Sequence, residues 1–282
     1  MLRILAVLGV VAVSLSAPLV ADAQELNKIS TTQWHNNNVP RFSIKVEMVA
    51  EFGDRYEEVR GRLLARNYSG DDLPCSSQIL EELAWLIHYT ARRQDIQQRF
   101  RELERSLENP NQNFAFQQSS RDGSWGVCHK EWFLILDASI DPLKELAIAG
   151  RKPKYPLKFL EHVSTPERIT AMFEKLLVSH VARDGWNKRK ELNMMVSGLG
   201  QLLFDSELES VLPESWPREA LGAALIRFMD ETWQNRATGY WGAWYEEDGT
   251  VIKTDDLSIT FHIISYRQGQ VGQWAKIIDH TF

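Results

Sequence analysis

The chain has 282 residues, with 32 Lys and Arg against 38 Asp and Glu and a formal net charge of −6. A balance this mildly acidic, without a basic cluster, argues against nucleic acid as a partner, and it is too weak for an acidic disordered tail. The chain carries 10 tryptophans. Such residues fill cores but also line sugar- and isoprenoid-binding clefts, so their number alone selects neither role.

Residues 1–23 contain Arg3, an apolar run from Ile4 to Val13, and Ala21-Asp22-Ala23 ahead of Gln24. That is the three-part pattern of a secretory signal peptide, and its apolar run is too short to span a bilayer. The expected mature chain is therefore soluble, periplasmic or secreted, with no stable membrane insertion. Residues 24–42, with Asn36-Asn37-Asn38 and Pro40, read as an extended lead-in. Residues 43–282 read as one helical domain. Cys75 and Cys128 are the only cysteines. In an exported protein they form either one disulfide or two buried thiols.

Helical periodicity begins after Phe42. Phe52, Tyr56, Val59 and Leu63 recur at threes and fours, as do Ile79, Leu83, Leu86 and Ile87, and Gln94 to Leu107 forms a charged amphipathic helix. Asp141-Pro142 reads as the start of a short helix ending near Gly150. Ser164-Thr165-Pro166-Glu167 and Ser215-Trp216-Pro217-Arg218-Glu219 carry helix-start signals. No long stretch alternates as a strand does, so the fold class is all-α.

One pattern repeats. Gln118 is followed by Gly123 and Trp125, and Gln234 by Gly239 and Trp241, with identical spacing; Gly185-Trp186 is a reduced copy. Each tryptophan lies between two helical stretches. The repeating unit is a helical hairpin with a Gly-Trp corner, in which glycine lets the chain reverse and tryptophan seals the layer.

This Gln-x4-Gly-x-Trp repeat resembles that of the α/α toroids: terpene cyclases, protein prenyltransferase β-subunits, and many polysaccharide lyases and hydrolases. The resemblance covers about residues 75–282. It implies stacked helical hairpins forming a toroid, with inner and outer helices around a cavity, or an incomplete arc of one. Hairpins near 45–107, 129–181 and 188–234, then half of another, fall short of a full ring, and an incomplete ring leaves a face for self-association. Protonating terpene cyclases carry Asp-x-Asp-Asp-Thr-Ala. Here Lys253-Thr254-Asp255-Asp256-Leu257-Ser258 puts Asp255 on the acid position and Asp256 beside it. Lys253 replaces the first Asp and would favour the ionised acid.

In such a fold the polar residues after each corner face the cavity. The expected catalytic candidates are Asp255, Asp256, His262 and Glu191; one of the two aspartates is also expected to cap the following helix. Tyr240, Trp244, Tyr245, Asn193 and His129 are the expected substrate-binding residues. No Cys-x-x-Cys, no His pair at i, i+4, no Gly-x-Ser-x-Gly and no phosphate loop is present, so neither metal nor cofactor is expected. The leading expectation is a carbohydrate-active protein, a polysaccharide lyase or glycoside hydrolase. A terpene-cyclase-like enzyme and a non-catalytic binding or scaffold module are the alternatives.

Overall fold

The computed structural model describes residues 46–65, 75–108 and 117–282. The signal-like segment and the lead-in lie outside the described residues. Helices dominate, as the periodicity predicts. The first three, α1 (Val46–Leu64), α2 (Cys75–Tyr89) and α3 (Arg93–Glu108), form one cluster in which α2 packs against both neighbours. Ile96, Phe100, Leu103 and Leu107 make a single stripe on α3 and are all buried. Each such side chain contributes about 1.5–3 kcal/mol of burial. Under the stripe, the Arg99 guanidinium meets the Glu82 carboxylate at 2.7 Å with both side chains almost fully buried.

The chain continues through α4 (Trp132–Ile148), α5 (Pro166–Leu177), β1 (Val178–Ser179), the short α6 (Val181–Asp184) and α7 (Arg189–Phe204). Next come α8 (Arg218–Arg227), which runs into a π-helical turn at Phe228–Trp233, the strands β2 (Trp244–Glu247) and β3 (Thr250–Lys253), α9 (Leu257–Tyr266) and α10 (Trp274–Thr281). Helix α7 is central: α4 and α9 pack against it, and so do α5 and α8. Two glycines permit the close approach. A Cβ on Gly198 would lie 2.9 Å from Leu136 of α4, and one on Gly200 would lie 2.8 Å from Tyr266 of α9. Among the described residues, no helix is long and apolar enough to cross a membrane.

Two elements differ from expectation. Pro142 does not start a helix; it sits inside α4, which begins ten residues earlier at Trp132. Phe133, Leu136, Ile140 and Leu143 are buried along this helix, and that packing outweighs a proline penalty of about 3 kcal/mol. The fold also contains a three-stranded sheet of order β1-β2-β3, parallel then antiparallel. Its strands are too short to register as alternation. The β2–β3 turn is Asp248-Gly249, with φ of 49° and 77°, as a tight hairpin with two left-handed residues requires.

The two Gly-Trp corners are built alike. Gln118 Nε2 donates to the Gly123 carbonyl at 2.9 Å, and Gln234 Nε2 donates to the Gly239 carbonyl at 2.8 Å. Gly123 N donates to Ser119 O, and Gly239 N to Asn235 O. The Trp125 and Trp241 amides each donate to a helix hydroxyl, Ser139 Oγ and Thr260 Oγ1. Both glycines hold positive φ, 75° and 80°. The glutamine thus closes its own corner rather than capping a helix end. Gly185 instead ends α6, and its carbonyl accepts from Ala91 N at 2.7 Å. Cys75 and Cys128 are joined as a disulfide, with Cα atoms 5.5 Å apart, tying the start of α2 to the loop after Trp125.

Candidate functional site

A polar face runs across α4, α7 and α9, with Glu81 of α2 at its edge. On α7 every residue from Glu191 to Leu203 is buried except Asn193, Ser197 and Gln201, which are half-buried in line with Lys190. This i, i+3, i+7, i+11 stripe is one helix face. Helix α4 contributes Asp137, Asp141 and Lys144 at the same kind of spacing, α2 contributes Glu81, and α9 contributes Ser258, His262 and Tyr266. Contacts stitch the stripes together. Ser258 Oγ donates to Asn193 Oδ1 at 3.4 Å, Ser197 Oγ and the Tyr266 hydroxyl are 3.2 Å apart, and Lys144 Nζ donates to Gln201 Oε1.

The ionisable groups of this face feel one another. The Asp137 side chain reaches the surface, but the surrounding protein desolvates it. This desolvation and the charges of Glu81 and Asp141 raise its carboxyl to about 6, against the opposing pull of Lys190. Burial holds His262 below its ordinary value, with Asp256 pulling upward and Lys190 adding to the depression. Its ring stacks on Tyr266 at 5.8 Å with 2° between planes, and its Nδ1 is buried without a hydrogen-bond partner. A neutral imidazole beside a tyrosine, a lysine and an amide can accept a proton from a bound ligand.

The aspartate pair is placed differently. Asp256 is the N-cap of α9: its Oδ1 accepts from Ser258 N at 2.9 Å and Ile259 N at 3.3 Å. The same carboxylate is gripped by Arg189 through Nε at 2.6 Å and Nη2 at 3.1 Å. Asp255 is buried. Its Oδ1 accepts from Asn235 Nδ2 and Thr238 Oγ1, both at 2.9 Å, and its Oδ2 faces His280 Nε2 at 3.2 Å. The first oxygen is thus fastened to the second Gly-Trp corner and the other faces α10. Neither carboxylate belongs to the polar face.

The aromatic candidates sit apart from it as well. Tyr240 is buried, with its hydroxyl 2.7 Å from Thr281 Oγ1. Tyr245 is buried in β2, its hydroxyl raised by burial and donating to Asn187 Oδ1 at 3.4 Å. Trp244 is half-buried, with Lys253 Nζ 3.9 Å over its ring from the paired strand. His129 is buried between Glu81 and Glu82, at 3.6 and 3.7 Å. Of the expected site residues, then, Asn193 and His262 lie on the polar face, His129 is buried beside its Glu81 edge, and the others lie apart. The face adds Asp137, Lys190, Ser197 and Tyr266. Polar residues at helical spacing within the apolar α7 run were the signal for this stripe.

Glu191 lies in the first turn of α7 against Trp186, whose ring meets Trp85 edge-on. Trp186 Nε1 donates to its Oε1 at 2.6 Å. Arg92 lies over both rings, 5.5 Å from Trp85 and 5.8 Å from Trp186, and bonds Glu131 at 2.6 Å. Burial above all, with the Glu131 charge, pushes the Glu191 carboxyl from 4.5 up to about 8. Between those values the folded protein holds a proton that the unfolded chain releases. The stability contributed by the Glu191 proton is therefore full below about pH 4.5 and falls toward pH 8, by at most about 1.4 kcal/mol per pH unit. Glu191→Gln is expected to flatten this slope in urea-unfolding midpoints across the window. An unchanged slope would show that Glu191 ionises freely.

A groove of about 460 Å³ lies elsewhere, between α5 and α8, lined by Thr170, Glu174, Phe228 and Glu231 among others. None of the candidate residues lines it. Among the described residues no group of three His, Cys, Asp or Glu side chains could hold a metal ion. The chain matches no family model, no curated protein and no solved structure.

Proposed function

We propose that this chain is an exported, carbohydrate-active protein, a polysaccharide lyase or glycoside hydrolase, whose helices form an α/α-toroid-like arc with the polar face inside. The observation that carries this reading is the polar stripe shared by α4, α7 and α9, helices otherwise packed mainly through apolar residues, with Glu81 of α2 acting on it. The signal-like pattern of residues 1–23 and the Cys75–Cys128 disulfide support an oxidising, extracytoplasmic location. The ligand is a polysaccharide or oligosaccharide.

The chemistry favours proton abstraction. A lyase must neutralise a sugar carboxylate while a base removes the neighbouring proton. Lys190 and Asn193 offer the positive charge and the amide for the first task. His262, held neutral by burial and stacked on Tyr266, offers the base for the second. The Tyr266 hydroxyl, beside His262 and facing the α7 stripe, returns a proton to the leaving oxygen, while Asp137, across α7, meets a neighbouring sugar.

The test is incubation of the mature protein with uronic-acid polysaccharides, following the ultraviolet absorbance of unsaturated products. His262→Ala and Lys190→Ala are each expected to lower turnover by about a hundredfold or more, with thermal unfolding little changed. Absence of both turnover and binding across the panel would sink the proposal.

A further inference from the structure

Phe261 has no part in the chemistry above, yet it is 46% exposed on α9 and its ring lies 5.7 Å from that of His262. Leu257, one turn earlier, is 49% exposed. An apolar aromatic surface thus borders the polar face where that face ends. A pyranose ring has the matching two-sided character, with hydroxyls at its edge and C–H groups on its faces. The polar side chains can serve the edge, and an aromatic ring the C–H face.

The scale of the face sets the kind of ligand. From α4 through α7 to α9 are two helix-packing steps of about 8–10 Å each, so the face extends up to about 16–20 Å. That is longer than a single sugar ring. We propose that Phe261 is a stacking subsite at the α9 edge of the polar face, and that it takes the apolar face of a ring in an oligosaccharide spanning the face from Asp137 to His262. This rests on the carbohydrate reading above and adds to it an aromatic subsite and a chain-length requirement.

Calorimetric titration with dimers and hexamers of galacturonate, glucosamine and glucose tests it. Wild-type protein is expected to bind at least one hexamer more tightly than its dimer. Phe261→Ala should weaken that hexamer by about tenfold, as expected for uncovering part of an aromatic face, and leave the dimer unaffected. Phe261→Trp should restore hexamer binding, which separates stacking from damage to the fold. Unchanged hexamer affinity in Phe261→Ala overturns the subsite and leaves the carbohydrate reading intact. Absence of binding to any oligosaccharide by the wild type overturns both. A dimeric wild type that Phe261→Ala makes monomeric in sedimentation would show that a second copy covers this surface, and would likewise overturn the subsite.

Discussion

Gly242→Ala is expected to lower stability by at least about 3 kcal/mol, or to prevent folding, with no group of the polar face touched. A Cβ at this position would lie 2.0 Å from the Thr254 carbonyl oxygen and 3.0 Å from Thr254 Oγ1. The obstacle is backbone, and that backbone is pinned. Thr254 N donates to the Ala243 carbonyl at 3.3 Å, and Thr254 Oγ1 donates to the same carbonyl at 2.6 Å. Relief would require moving Thr254, and with it the adjacent Asp255 and Asp256 and the start of α9. Gly126 follows the first corner as Gly242 follows the second, and a Cβ there would meet Ile135 Cα at 2.6 Å. Gly61 is the control. It lies inside α1 with nothing within 4 Å of an added Cβ. Gly61→Ala should therefore stabilise by up to about 1 kcal/mol. Urea-unfolding midpoints of the two variants decide the matter; a Gly242→Ala protein as stable as wild type would refute this account of the corner.

Asp256→Ala is expected to cost about 2–4 kcal/mol. Two losses combine. The helix cap on Ser258 N and Ile259 N disappears, worth about 1 kcal/mol. The larger loss is the bidentate carboxylate partner of the half-buried Arg189 guanidinium, which stays charged. Asp256→Asn keeps an oxygen for the cap but removes the charge, so it should fall between alanine and wild type. The series separates two roles. A carboxylate held ready for catalysis can usually be removed at little cost in stability, or with a gain. One that clamps α7 to α9 cannot. An Asp256→Ala protein unfolding at the wild-type urea concentration would return Asp256 to the catalytic candidates.

Local sequence signals were legible wherever a short segment carried its own reason for folding. Thr165-Pro166 starts α5 with the Thr165 side chain accepting from Arg168 N, as a cap should. Helix α3 spans Arg93–Glu108, close to the span its apolar stripe predicts. The repeated Gln, Gly and Trp form the same turn twice because the Gln and Gly bonds that close it link residues five or fewer apart, and the Trp amides then fasten it to the following helix. The glycine after each tryptophan has no such local reason. Its necessity comes from a distant backbone, Ile135 in one corner and Thr254 in the other.

The candidate site was legible only in part, for a related reason. Asn193 and His262 lie on the polar face and were expected to be functional. Asp255 and Asp256 stood out because two acids adjoin a helix start, yet their partners come from elsewhere: Asn235, Thr238 and His280 for one, Arg189 for the other. The chain order of residues cannot reveal which side chain 67 positions away will reach a carboxylate.

By itself, then, the sequence determined the helical class, the two glycine corners and the capped start of α5, because these depend on periodicity, left-handed backbone and capping within a few residues. The tertiary structure alone decided that Pro142 stays inside a helix, that Cys75 meets Cys128, and that two conspicuous aspartates face structural partners. It also decided that Asp137, Lys190 and His262 share one electrostatic neighbourhood. Each of these is a contact between segments far apart in the chain, and packing, rather than local preference, sets which of them form.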